Sequence, residues 1–172
     1  MEVSLFSGRY TVRTLTYENI DEIYELLSKN VLYYEYCPPY VTRQGILGDI
    51  NALPPGKTIR DKYYVGFYQE DRLIAVMDLI DGYPETGIAY IGFFMTDVSL
   101  QNRGLGSGII DDLCKYLAGM EYHSVRLAWV KGNPQAEHFW LKNCFRPIME
   151  AKSNVADRVI VAERVLQQAA IG

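Results

Sequence analysis

Polar and apolar residues alternate from Arg9 to Leu15 (RYTVRTL) with β-branched members among them, a pattern that predicts a half-buried opening strand. Thr16 then reads as a helix cap. Ile20, Ile23, Leu26 and Leu27 fall at helical spacing behind Glu18, Asp21 and Glu22, acids that suit a helix N-terminus, and this helix ends near Asn30. After the aromatic stretch VLYYEYCPPY, the positions of Ile46, Leu47, Ile50 and Leu53 predict a second helix over Thr42 to Leu53, stopped by Pro54-Pro55-Gly56. Tyr63 to Tyr68 and Leu73 to Ile80 form a hairpin around QEDR, and Ile88 to Val98 follows as a third strand. Leu105, Ile109, Leu113 and Leu117 recur every four residues, so Arg103 to Met120 is an amphipathic helix. Val125 to Val130 is a short strand, Asn133-Pro134 opens a helix through Lys142, and Phe145 to Val165 reads as two more strands. The final stretch QQAAIG reads as a loose chain end. The order β-α-α-β-β-β-α-β-α-β-β describes one α+β (α/β) domain over residues 1–172. Its mixed sheet is antiparallel at first, with a parallel βαβ step later.

Composition narrows the classes of function. With 172 residues, 49% of them hydrophobic and 22% charged, the chain is long enough for one sizeable core. A net charge of -4 argues against nucleic acid as a partner. No apolar run reaches membrane-spanning length and the N-terminus lacks the build of a signal peptide, so no membrane association and a cytoplasmic location are expected. Three separated cysteines and two histidines predict neither a disulfide framework nor a metal site, and Cys144 is expected to be a buried packing residue.

The stretch SLQNRGLGSGII, Ser99 to Ile110, sets three glycines at alternate positions where a strand gives way to a helix. Such a turn gathers backbone N–H groups at the positive end of a helix dipole, where phosphate can be held; equally, it can be a tight turn without a ligand. Arg103 and Ser107 would add a charge and a hydroxyl. No Lys-Ser or Lys-Thr follows, and Ile109 occupies the third glycine's place of GxGxxG, which disfavours nucleoside triphosphatases and dinucleotide folds.

Gln101-Asn102-Arg103-Gly104-Leu105-Gly106, between the strand IGFFMTDV and an amphipathic helix, resembles the [QR]-x-x-G-x-[GA] pyrophosphate loop of the GNAT superfamily of N-acetyltransferases. The segment from Asn133 through Ala136, Phe139 and Trp140 to Cys144-Phe145 is similar to that family's N-x-x-A-x-x-[LF]-Y-x-x-x-G-F stretch. The resemblance implies a mixed central sheet of about seven strands flanked by about four helices, with acetyl-CoA as cosubstrate lying between two splayed parallel strands. It places pantetheine contacts on the backbone of Phe94, Met95 and Thr96, and the pyrophosphate on Gln101, Asn102, Arg103, Gly104, Leu105, Gly106 and Ser107. Asn133 is a cofactor contact, a helix cap, or both.

The familiar acid and base positions do not hold their usual residues. The family's tyrosine corresponds to Trp140, one of its glutamate positions to Ala128 and another to Tyr90. Tyr90, Trp140 and His138 are therefore the candidate catalytic residues, although Tyr90 would need a strongly depressed pKa and each has a purely structural reading. The segment Val31 to Tyr40 is expected to wall the acceptor site, with Glu35 pairing a cationic amine and Tyr33, Tyr34 and Tyr36 offering aromatic faces. The function implied is acetyl transfer to a primary amine of a small molecule or peptide; the alternative is a catalytically silent acyl-CoA binding or sensing domain. The resemblance and the apolar strand VIVAERVL point to a homodimer.

Overall fold

Thr16 and Asn19 cap each other at the start of the first helical segment: the Asn19 side chain accepts from the Thr16 N–H at 2.9 Å, while the Thr16 hydroxyl accepts from Glu18 N–H at 3.3 Å. One 3-10 turn, Tyr17–Asn19, leads into α1, Ile20–Ser28, which buries Ile23, Leu26 and Leu27 as the periodicity requires. The computed structural model describes residues 1–154 and 156–167, so all but the first residue of the expected loose end lies outside the described residues.

A short helix follows that the sequence pattern does not announce. α2, Val31–Tyr36, spans six residues and has none fully buried, so no apolar periodicity marks it. α3, Arg43–Asn51, starts as expected behind Thr42, whose hydroxyl accepts from Gly45 N–H at 2.9 Å. The remaining helices are α4, Leu105–Gly119, and α5, Pro134–Lys142. α4 starts two residues later than periodicity suggests, because Asn102 and Gly104 take φ values of 59° and 80° that keep the preceding turn out of the helix.

The strands are β1 (Thr11–Thr14), β2 (Lys62–Gln69), β3 (Arg72–Asp81), β4 (Ile88–Thr96), β5 (Ser124–Val130), β6 (Arg146–Ala151) and β7 (Val159–Val165). They form one seven-stranded sheet in the order β1-β2-β3-β4-β5-β7-β6. Every neighbouring pair is antiparallel except β4 and β5, which α4 joins as a parallel crossover. β7, whose apolar character suggested a second copy, lies between β5 and β6 and buries Val159 and Ala162 within this chain; the sheet edges are β1 and β6.

Two apolar clusters hold the helices to the sheet. Ile109, Ile110, Leu113 and Leu117 of α4 join Phe6, Phe67, Trp129, Trp140 and Phe145 in one. Ile23, Leu26 and Leu27 of α1 and Ile46 of α3 meet Val76 and Met95 in the other. A methyl on Gly108 would lie 2.5 Å from Arg9 Nη1. That atom, however, ends a flexible, mostly exposed side chain paired with Asp112 at 3.5 Å. Gly108→Ala is expected to be nearly neutral, since about 1 kcal/mol of helix propensity offsets an exposed ion pair of about the same worth. Urea unfolding checks this; a loss above about 2 kcal/mol would mean that Arg9 cannot swing aside.

Candidate active site

The ladder between β4 and β5 covers only Ile88–Ile91 opposite Ser124–Leu127, after which β4 continues to Thr96 paired with β3 alone. A bulge marks the parting: Leu79 stands opposite Ile91 and Asp78 opposite Phe93, leaving Gly92 as the additional residue. Asp97 N–H donates to Ile74 C=O at 2.8 Å, and the antiparallel alternation then turns the backbone of Met95 toward β3 and that of Phe94 and Thr96 into the opening. The Thr96 carbonyl there accepts from Asn30 Nδ2 at 3.3 Å and Gln101 Nε2 at 3.4 Å.

Beyond Thr96 the chain is anchored before it turns. Burial works against the charge of Asp97, but hydrogen bonds from Arg72 Nη2 (2.6 Å) and Ser99 N–H (2.8 Å) outweigh it and hold the carboxyl below its ordinary pKa. The turn then enters α4 through Gly104, whose φ of 80° excludes most side chains and which offers no side-chain cap. The first helical bond of this turn runs from Gly108 N–H to Gly104 C=O at 2.9 Å, so the N–H groups of Leu105, Gly106 and Ser107 lack helical acceptors. They sit at the positive end of a 15-residue helix, an arrangement suited to an anion. Gly106 serves a different need from Gly104: a Cβ there would meet Phe139 Cε2 at 3.2 Å and Thr96 Cγ2 at 3.4 Å.

The open edge of β4, the turn and one side of α5 from Gln135 to Lys142 line a cavity of about 260 Å³. Of the residues expected to hold the cosubstrate, Phe94, Met95, Thr96, Gln101, Asn102, Gly104, Gly106, Ser107 and Asn133 line it. Arg103 and Leu105 do not: Arg103 is exposed, and Leu105 packs against the first core cluster. Asn133 is 4% exposed and caps α5, its Oδ1 accepting from Ala136 N–H at 3.1 Å, so cap and cavity wall are the same side chain. Asn30, Gln135 and Phe139 also line the cavity, and only the structure reveals them as a group. Gln101 Nε2 donates to Asn30 Oδ1 at 2.7 Å and Gln135 Nε2 reaches Gln101 Oε1 at 3.5 Å, while the Phe139 ring stacks on Phe94 with centroids 6.0 Å apart.

The candidate catalytic residues separate. Trp140 and His138 line the cavity, Trp140 as a buried wall and His138 exposed. Tyr90 does not line it; it sits in the ladder between Ile80 and Arg126, with its ring 5.4 Å from that of Tyr83. Burial raises its pKa, the opposite of what a phenolate base requires. Tyr90→Phe is therefore expected to leave kcat within about twofold of wild type in steady-state assays, against the hundredfold or larger loss typical of removing a general base.

The segment expected to wall the acceptor site is helical over Val31–Tyr36, so its side chains point in different directions. Tyr33 reaches the cavity, edge-on to Phe93 at 5.7 Å and to Tyr34 at 5.0 Å, and burial holds its pKa well above the ordinary value. Tyr34 leans on Tyr40, Glu35 is exposed, Tyr36 is half-buried, and none of these three lines the cavity. Cys144 also departs from expectation: it is exposed, with φ of 67°, in the left-handed conformation where the family's pattern places glycine. Among the described residues no three His, Cys, Asp or Glu side chains gather as a metal site, and no helix is long and apolar enough to cross a membrane.

A parted parallel strand pair leading into a glycine turn is the opening that the resemblance to the GNAT family implies, and comparison with known proteins gives the same family. The model of the acetyltransferase (GNAT) family matches residues 20–144. The chain belongs to that family, whose acetyl donor is acetyl-CoA. An acetyltransferase from Thermus thermophilus is similar over 90% of this chain and 96% of its own, at 17% identity and a TM-score of 0.72. A ribosomal L7/L12 α-N-protein acetyltransferase in complex with coenzyme A matches over 95% and 98% of the two chains, at 14% identity and a TM-score of 0.70. A spermidine N-acetyltransferase chimera from Vibrio cholerae and hSSAT matches over 92% and 96%, at 15% identity and a TM-score of 0.66. At these identities the likeness establishes the fold. No curated protein sequence matches the chain.

Proposed function

We propose that this chain transfers the acetyl group of acetyl-CoA to a primary amine of a small molecule or peptide in a ternary complex. The observation that carries the reading is continuity: the outward-facing backbone of Phe94 and Thr96 runs directly into the free N–H groups at the start of α4. The backbone of Phe94 and Thr96 would hold the pantetheine arm and the turn from Asn102 to Ser107 the pyrophosphate, with Asn133 and Trp140 in the cavity wall. The cosubstrate supplies a thioester. The protein's own part is to hold an amine against its carbonyl, to exclude water with the rings of Phe94, Phe139 and Trp140, and to offer a backbone N–H near the bulge to the developing oxyanion. The similar structures include both a protein N-terminal and a spermidine acetyltransferase, which supports both acceptor classes. A homodimer would form along β6, the one of the two sheet edges that exposes Ile148 and Met149.

Calorimetric titration with acetyl-CoA is the direct test. A dissociation constant in the micromolar range, on the order of 8 kcal/mol, is expected; no heat from a folded sample at several temperatures would end this reading. The absence of the usual side chains at Tyr90, Ala128 and Trp140 favours a second reading, an acyl-CoA sensor without turnover. Binding without acetylation of any amine in a broad panel would select it.

A further inference from the structure

The interior of β2 and β3 contains a charged group that the cosubstrate cavity does not use. Lys62 and Asp78 form an ion pair at 2.8 Å, with side-chain exposures of 1% and 15%. The lysine is well served: its Nζ also donates to the Ala52 carbonyl at 2.9 Å and lies 5.6 Å above the Tyr64 ring. Asp78 is not, because Lys62 engages Oδ2 while Oδ1 is buried without a partner. The hydroxyl of Tyr64, directly opposite Asp78 in the β2–β3 ladder, is likewise buried and unpartnered. Two orphaned polar atoms on one face of neighbouring strands are costly unless water or a ligand completes them.

Their place in the fold says which ligand. Asp78 stands against the β4 bulge: a Cβ on Gly92 would come within 2.9 Å of Asp78 Oδ2, and Gly92 itself is exposed. Gly92 is the first residue beyond the β4–β5 ladder, where the opening begins, and the neighbouring Phe93 touches Tyr33 of the cavity wall. The groups facing Asp78 and Tyr64 are Lys62 from β2, Asp49 from α3 and Tyr34 from α2. Two carboxylates and one ammonium leave the cluster with one negative charge in excess. Burial raises the pKa of Asp78, with Lys62 opposing it, so one additional cation would stabilise its ionised form beside the exposed Asp49.

We infer that Asp78 Oδ1 and Tyr64 Oη, with the charge of Asp49, form the subsite that receives the protonated primary amine of the acceptor beside the Gly92 bulge. The inference rests on the acetyltransferase reading and deepens it. It moves charge recognition from the exposed Glu35 to a buried carboxylate at the mouth of the strand opening. Asp78 is thereby a positioning and specificity residue: it selects an ammonium head over a neutral hydroxyl or amide of the same size, because only a cationic donor balances the charge excess.

The test uses the full chain and n-propylammonium chloride as a minimal acceptor head, followed through the backbone amide signals of Gly92 and Phe93 by NMR. Saturable shifts in the millimolar range are expected, with none from n-propanol or potassium chloride at equal concentration. Asp78→Asn should abolish the saturable shift, and Asp49→Asn should weaken it by about fivefold. An unmoved Gly92 amide, an equal response to potassium chloride, or a shift persisting in Asp78→Asn overturns the subsite. Should Asp78→Asn fail to fold with Lys62 left unpaired, Asp49→Asn at the exposed rim decides, and unchanged affinity there overturns it too. Acetyl-CoA calorimetry on the same samples keeps the two readings apart. Lost cosubstrate binding with intact propylammonium shifts sinks the transferase reading, and the converse sinks only the subsite.

Discussion

Replacing Trp140 by alanine is expected to cost about 3–5 kcal/mol of stability, the largest effect of any single substitution at the cavity wall. The side chain is 8% exposed and meets three rings, with centroids 6.1 Å away at Phe94, 4.8 Å at Phe139 and 5.2 Å at Phe145. Removing the indole deletes apolar burial and leaves a void bounded by rings fixed in β4, α5 and the residue before β6, so the site cannot collapse cheaply. Trp140→Phe keeps an aromatic partner for each neighbour and should cost roughly half as much. Chemical unfolding of both variants checks this, and an alanine variant within about 1 kcal/mol of wild type would show that the ring cluster does not bear on the fold.

Gly106→Leu is expected to weaken acetyl-CoA binding by about a hundredfold or more, close to 2.7 kcal/mol. Even a bare Cβ at this position lies 3.2 Å from the Phe139 ring and 3.4 Å from Thr96. A leucine must therefore either push the first turn of α4 away from α5 or project into the cavity that Gly106 lines. Either outcome displaces the N–H groups proposed to hold the pyrophosphate. Gly104→Ala is the informative companion, because nothing lies within 4 Å of its Cβ and its penalty is confined to the backbone at φ of 80°, about 1–2 kcal/mol. Calorimetry on both folded variants separates steric blockage from turn strain; equal losses would show that space beside Phe139 is not what Gly106 provides.

Most of the fold was legible because burial and periodicity agree. The spacing of Ile109, Leu113 and Leu117 marks α4, and all three are fully buried. The glycine turn was legible because its residue types answer separate constraints, positive φ at Gly104 and close approach at Gly106. α2 was not, since a six-residue helix with no buried residue has no apolar stripe to betray it, and the directions of Tyr33 to Tyr36 were lost with it. Tyr90 falls within the strand read from Ile88 to Val98 and is half-buried in the ladder, as its structural reading allowed. Cys144 looked apolar and therefore buried, although its backbone conformation is the reason a glycine belongs there. Asp78 did leave a mark, a lone acid within the apolar run LIAVMDLI, and an apolar run interrupted in that way points to a buried charge in need of partners.

The hydrogen bond between Gln101 Nε2 and Asn30 Oδ1, together with their shared acceptor at the Thr96 carbonyl, joins the chain just before α2 to the turn before α4. The consequence is for how this enzyme can diversify. In a modular catalyst the segment that chooses one substrate drifts freely while the segment that grips the other stays fixed. Here a single amide side chain joins the two segments, so under the proposed roles a change of acceptor preference achieved by reshaping α2 would be inherited by the grip on the donor unless Asn30 is left in place.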